Sequence, residues 1–309
     1  MDRLSGLLER CRVRAHLFHQ GALCGISRFP AEPGRGFLHV MRAGTLELRH
    51  AARSGLPRSL RVTEPSLLFY PRPMSHVFHN PPVEGSDFVC AELEFDGGSA
   101  NPLVRALPPL VVLPLAQVDG LESALHLLFA ETERVRCGHR LLADRLFEVV
   151  LIQLLRWLID HPAEAGVQPG LITGLADARL AAVLVAMHDA PGDAWGLADM
   201  ASHAGMSRSA FAAHFKDVVG QTPAAYLADW RLTLVQTALR DGRSVKQIAD
   251  ELGYAGASAL SRLFSQRLGR SPRQWLAQAG PGHGRWAGPG CWDVPLSVRV
   301  TNAAPSHQS

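Results

Sequence analysis

Two sets of side chains in this 309-residue chain could do chemistry. The first is basic. From Met206 to Ala279 there are ten Arg or Lys against five Asp or Glu, whereas residues 1–170 hold eighteen of each sign. Guanidinium and imidazole groups such as Arg208 and His214, concentrated in one segment, are suited to meeting the phosphates of a nucleic acid. The second set is His39, Glu47, His76 and His79. These are donor types for a divalent metal, but a facial iron site needs three groups that converge. Their spacing assembles no such triad, and fourteen histidines make chance proximity easy. They are expected to line a small-molecule pocket, with no metal, no cofactor and no catalytic residue.

The basic segment is written twice. Ala201, Gly205, Phe215, Gly220, Pro223 and Tyr226 recur as Ala249, Gly253, Phe264, Gly269, Pro272 and Trp275, offset by 48 and then 49 residues. In each copy a helix with a small alanine on its inner face ends at a glycine that can turn with φ > 0. A second helix follows, capped in the first copy by Ser207. A further Gly ends it, and a Pro suits the first turn of the next. Solenoids of two-helix repeats need three or more copies. Two copies, each with its own turn, give two helix-turn-helix units, whose second helices enter the major groove. Those helices are predicted at about 208–219 and 257–268. Between them a helix over roughly 223–240 has Tyr226, Leu227, Trp230, Leu234, Val235 and Ala238 on its apolar face. Such a rod could space the two reading helices by about one DNA turn (~34 Å).

The first ninety-five residues read differently. VRAHLF, GISRF, FLHVMRAG, TLELRH, SLLFYP and DFVCAELEF are short apolar runs between Gly/Pro turns. Val89, Ala91, Leu93 and Phe95 alternate with Cys90, Glu92 and Glu94, the period of a strand. Many short strands at such spacing predict an antiparallel barrel or jelly roll. Helical periodicity follows over 118–160. The second helix there is apolar on several faces, which predicts burial against the barrel and against a second copy of the chain through Leu142, Leu146, Val150 and Trp157. The Pro/Gly-rich run 161–174 reads as a linker, Asp177 opens the next helix, and the tail from Gly280 is expected to be disordered.

Length favours two domains. Five scattered cysteines without a CxxC pair imply neither a disulfide framework nor a zinc site, which fits a reducing cytosol. Charges break the N-terminus before a signal-type run forms. The most apolar stretch, Phe147–Ile159, contains Glu148, Gln153 and Arg156, so no membrane partner is expected.

The segments MSRSAFAAHFKDVVGQTPAAYLADWRL and IADELGYAGASALSRLFSQRLGRSPRQWL resemble the two signature stretches of the AraC/XylS family of bacterial transcription regulators, over about residues 175–278. The resemblance implies a seven-helix domain that reads two adjacent major-groove segments. The positions matching the family's base readers are Ser209, Ala212 and Ala213 in the first reading helix and Ser258, Ser261 and Arg262 in the second; Ser207, Arg208 and His214 flank the first. Alanine offers only contact with a thymine methyl, so Arg262 is the strongest candidate for base readout. GFLHVMRAGTLELR and EPSLLFYPRPMSHVFH resemble a cupin-like barrel, although only His39 stands where cupin enzymes carry His-x-His before the glutamate. The expected fold is α+β: a cupin-like sensor and dimerisation domain (1–160), a linker (161–176), a double helix-turn-helix domain (177–279) and a tail (280–309). The expected function is a cytoplasmic, non-enzymatic, sequence-specific transcription regulator. Its expected partners are double-stranded DNA, a second copy of the chain and a small effector, with RNA polymerase a further candidate. The alternative is a cupin-type metal-dependent oxygenase or isomerase with a helical appendage.

Overall fold

The computed structural model describes residues 1–81, 85–98, 101–134 and 136–279, so the expectation for the tail lies outside the described residues. The described residues of the N-terminal part include nine strands: β1 Val13–Leu23, β2 Ile26–Phe29, β3 Arg35–Ala43, β4 Leu46–His50, β5 Ser59–Val62, β6 Ser66–Tyr70, β7 His76–His79, β8 Ser86–Phe95 and β9 Val111–Pro114. They pair antiparallel into two sheets, β1-β8-β3-β6-β9 and β2-β7-β4-β5. The period of two sorts their side chains. On the larger sheet Phe37, Met41, Leu68, Tyr70, Phe88 and Cys90 point between the sheets, where they meet Phe29, Leu46, Leu48 and Phe78 of the smaller one. Leu38, Val40, Leu67, Phe69, Val89 and Ala91 point the other way and belong to a second core shared with the helices. The larger sheet is therefore buried on both faces, and the smaller on one.

Helices α1 (Ser5–Arg10), α2 (Pro102–Ala106), α3 (Leu121–Glu133) and α4 (His139–Asp160) accompany the barrel. Phe147, Val150, Leu154 and Leu158 of α4 are fully buried, and burial of each such side chain is worth about 1.5–3 kcal/mol. α4 also covers β1, the edge strand of its sheet. The Leu17 N–H donates to Asp144 Oδ1 at 2.7 Å, which satisfies an edge amide.

The linker expected over 161–176 is in part a helix. α5 (Leu171–Ala176) opens where the Gly170 N–H donates to Thr173 Oγ1 at 2.8 Å, and the Thr173 hydroxyl donates to the Val218 carbonyl at 2.8 Å. Leu171, Ile172 and Leu175 are buried. Gly174 makes this docking possible: a Cβ there would lie 2.7 Å from Leu184 Cδ1. The Pro/Gly run that suggested a linker ends at Gly170, and the apolar residues after it are a docking surface. α6 (Ala178–Asp189) begins at Asp177, whose carboxylate accepts from the Arg179 and Leu180 amides at 3.0 and 2.9 Å. α1 packs on its far end, where Arg10 donates to the Asp189 carbonyl at 2.7 Å.

Candidate nucleic-acid interface

Six more helices follow: α7 Leu197–His203, α8 Arg208–Val219, α9 Pro223–Arg240, α10 Val245–Glu251, α11 Ala257–Leu268 and α12 Pro272–Ala279. α7–α8 and α10–α11 are the two helix-turn-helix units, and α8, α9 and α11 have the bounds expected from sequence. The turns are built alike. Gly205 (φ +62) and Gly253 (φ +70) take the left-handed conformation, and the next amide returns to the preceding helix: Met206 N–H to Ala201 O and Tyr254 N–H to Ala249 O, both 2.9 Å. Ser207 Oγ then accepts from the Ala210 amide at 3.3 Å and starts α8. α11 starts at Gly256 with no side-chain cap, which glycine does at little cost. Gly220 and Gly269, at φ +76 and +71, end the two reading helices.

The inner faces also repeat. Phe211 and Phe215 are fully buried, and Phe215 meets Tyr226 edge-on at 5.8 Å; Leu260 and Phe264 are fully buried, and Phe264 meets Trp275 edge-on at 5.9 Å. Gly192 and Gly253 let the two units touch, since a Cβ on Gly253 would sit 2.1 Å from the Gly192 carbonyl oxygen. Arg231 of α9 joins them again, donating to the Pro191 and Asp193 carbonyls at 2.6 and 2.7 Å while its guanidinium lies 5.9 Å from the centre of the Tyr254 ring.

With the inner faces fixed, the outer ones are left to a partner. On α8, Arg208, Ser209 and Ala213 are exposed and Ala212 is half-buried; on α11, Ser258 and Arg262 are exposed and Ser261 is half-buried. Exposed Lys216 and Gln266 continue these stripes by a turn, at helical spacing from Ala213 and Arg262 that was readable in the sequence. His214 has a different setting. Its Nε2 lies 2.8 Å from Asp177 Oδ2, which ties α8 to the cap of α6. Burial opposes ionisation of Asp177, but the bonds from the Leu180 amide, His214 and the Arg179 amide outweigh it and hold the carboxyl below its ordinary range.

Residues 2–160 match a cupin family and residues 200–278 a helix-turn-helix domain family. The chain is 30% identical over 300 residues to an AraC-like transcription regulator of Streptomyces lividans, covering 88% of this chain and 97% of that protein. The chain belongs to the AraC-like transcription regulators. A second AraC-like regulator, from Streptomyces antibioticus, is 36% identical over 173 residues, with 55% of this chain and 56% of that protein covered. A solved structure of ToxT from Vibrio cholerae is 12% identical, with 87% of this chain and 97% of that chain aligned at a TM-score of 0.37.

Elsewhere in this AraC-like regulator the expected site residues divide. His39 and His76 are buried between the sheets, with their Nε2 atoms 3.0 Å apart. Glu47 and His79 are cross-strand neighbours on the outer face of the smaller sheet, where Glu47 accepts from Arg49 and Ser59 at 2.9 Å. The four therefore do not line one pocket. No three His, Cys, Asp or Glu side chains among the described residues could hold a metal ion. Of the four apolar residues expected at a dimer contact, Leu146, Val150 and Trp157 are covered by the chain's own core, and only Leu142 is exposed. Leu141 and Val149 are exposed beside it. No helix among the described residues is long and apolar enough to cross a membrane.

Proposed function

We propose that this regulator reads two successive major-groove segments with α8 and α11. Arg208 and Lys216 meet phosphates beside α8. Ser209, Ala212 and Ala213 face bases there, with methyl contact and shape as their means of discrimination. Ser258, Ser261 and Arg262 face bases under α11, and Arg262 is the bidentate guanine reader. His214 is assigned to positioning α8 through Asp177 rather than to a phosphate. The observation that supports this reading most is the equivalence of the two units: the same turn, the same aromatic plug and an exposed outer face at the start of each second helix.

The barrel is assigned the sensing of a small effector, with His39 and His76 inside it. A second copy of the chain is assigned to α4, through the outward stripe Leu141, Leu142 and Val149. The protein then acts in the cytoplasm as a dimer on duplex DNA, with RNA polymerase the further partner. Residues 1–160 form the sensor, 161–170 the connection and 171–279 the reading domain. The test is retention of a random-sequence duplex pool by the full chain at rising salt. Neutralising several phosphates makes affinity fall steeply with salt. Absence of retention at low salt overturns the reading.

A further inference from the structure

The barrel interior holds a polar network whose hydrogen positions can be worked out. His76 Nδ1 lies 2.9 Å from the Met74 carbonyl, which can only accept, so His76 carries its proton on Nδ1 and its Nε2 is an acceptor. His39 Nε2, 3.0 Å away, must then be the donor. His50 Nδ1 donates likewise to the Pro57 carbonyl at 2.7 Å, and the Tyr70 hydroxyl donates to His50 Nε2 at 2.9 Å. These imidazole and hydroxyl donors are all engaged. In this network one acceptor is left over: His39 Nδ1, fully buried and without a hydrogen-bond partner among the described residues; Asn80, two residues past Phe78, is also buried with its side-chain Oδ1 and Nδ2 unpartnered. Burial holds both His39 and His76 neutral, His39 well below and His76 at about 4 against the ordinary imidazole value of 6.5.

The surroundings of His39 are aromatic. Phe29, Phe78, His76, Phe37, Phe18 and Tyr70 have ring centres between 4.8 and 6.3 Å from its own. Phe18 differs from the rest. β1 pairs Leu17 with Ala91 and His19 with Cys90, so Phe18 is the extra residue of a β-bulge. Bulges re-aim side chains at barrel rims. This one lays a half-buried ring across the box, edge-on to Phe29 and Phe37 at 6.1 and 6.0 Å. The amide just before it, Leu17 N–H, is held by Asp144 of α4, so a shift of the bulge reaches that helix directly.

We propose that His39 Nδ1 is the polar anchor of the effector site, that Phe18 is its gate, and that the effector is a flat, uncharged molecule that donates one hydrogen bond, as a phenol does. This rests on the assignment of effector sensing to the barrel and adds the chemical class. At His39 Nδ1 a carboxylate, phosphate or carbonyl oxygen is rejected, because it would meet the imidazole lone pair. Sugars are excluded by having more polar groups than the box can bond.

The probes are phenol, benzene and benzoate, added to the full chain in thermal unfolding, with the His39 Nδ1 resonance followed by nitrogen-detected NMR. A ligand that binds the folded state raises its midpoint in proportion to affinity and concentration. Phenol should bind about tenfold more tightly than benzene, the value of one hydrogen bond to an otherwise unpaired group. Benzoate should not bind. The Nδ1 signal should move with phenol alone, Phe18→Ala should tighten phenol, and His39→Leu should erase its advantage over benzene. If benzene or benzoate matches phenol, or the Nδ1 signal is unmoved at saturating phenol, the anchor is wrong while the barrel remains a binding site. If no probe stabilises either the wild type or Phe18→Ala, both the anchor and the sensing barrel are overturned.

Discussion

The two helix-turn-helix units share a frame and differ in almost everything attached to it. The first leans on the N-terminal region through packing: α1 docks on α6, and α5, which lies against α8 with the Thr173 hydroxyl on the Val218 carbonyl, packs in turn on α4 and α2. Behind it is a buried imidazole, His188, whose Nε2 is 2.6 Å from the Tyr226 hydroxyl and whose ring lies 4.7 Å from that of Trp230. The second unit meets the N-terminal region through charge. Asp229 of α9 stands 3.4 Å from Arg105 of α2 and 3.4 Å from Arg267 of α11. The reading faces diverge as well, Ser209 and Ala213 against Ser258 and Arg262. Gly, Pro, cap and aromatic positions set the frame, and it was duplicated; the exposed positions carry the specificity, and they were free to drift apart.

Core substitutions test this division with the largest effect. Phe215→Ala and Phe264→Ala should each cost about 3–5 kcal/mol. Their consequences should separate by region: hydrogen exchange should show protection lost in α7–α8 for the first and in α10–α12 for the second. Equal loss throughout 177–279 would mean that the two units fold as one.

Acid should sharpen the contrast. His188 is held down to about 3 by burial, with the nearby Arg10 charge adding to the effect, against 6.5 when unfolded. A depressed imidazole leaves the unfolded state binding more protons, so stability is full above about pH 6.5 and is lost as pH falls toward 3. By pH 4.5 the loss is roughly 2–3 kcal/mol. Residues 215–279 contain no histidine, so urea melts followed by exchange should show the first unit failing before the second. His76, at about 4, adds a similar acid sensitivity to the barrel.

The reading faces come next. Arg262→Ala should flatten preference at one base position by about 1–3 kcal/mol, and Ser209→Ala should change preference far less. Competition binding against single-substituted duplexes measures both. A uniform loss for Arg262→Ala across all sequences would make it a phosphate contact. The smallest effect belongs to the charged bridge. Arg105→Ala removes one partly exposed ion pair and should cost about 0.2–1 kcal/mol, vanishing at high salt. A salt-independent loss in thermal unfolding would show that α2 holds α9 by packing.

Much of the frame was legible because its signals are local. A capping serine, a helix-ending glycine and a proline at N1 bracket α8 and α9 to the residue. β5, β7 and β9, four residues each, were passed over, although β2 is equally short and was read in GISRF. α5 was taken for linker because a Pro/Gly run precedes it. The sharper lesson is about faces. His76 and His79 are three apart on one strand, so a period of two places them on opposite sides; the sequence held that fact, and grouping by residue type overrode it. Leu146 and Val150 are apolar for a reason the sequence does not state. A buried stripe looks the same whether the chain or a second copy covers it, and here β1 and α3 lie against α4.

The most direct test of the account is selection of bound sequences from a random duplex library by the full chain, with preference resolved at each base. Two half-sites about one helical turn apart are expected, one sharp with a guanine opposite Arg262 and one degenerate and dependent on groove shape. A single half-site, or two of equal sharpness, would contradict the claim that one frame carries two unequal readers.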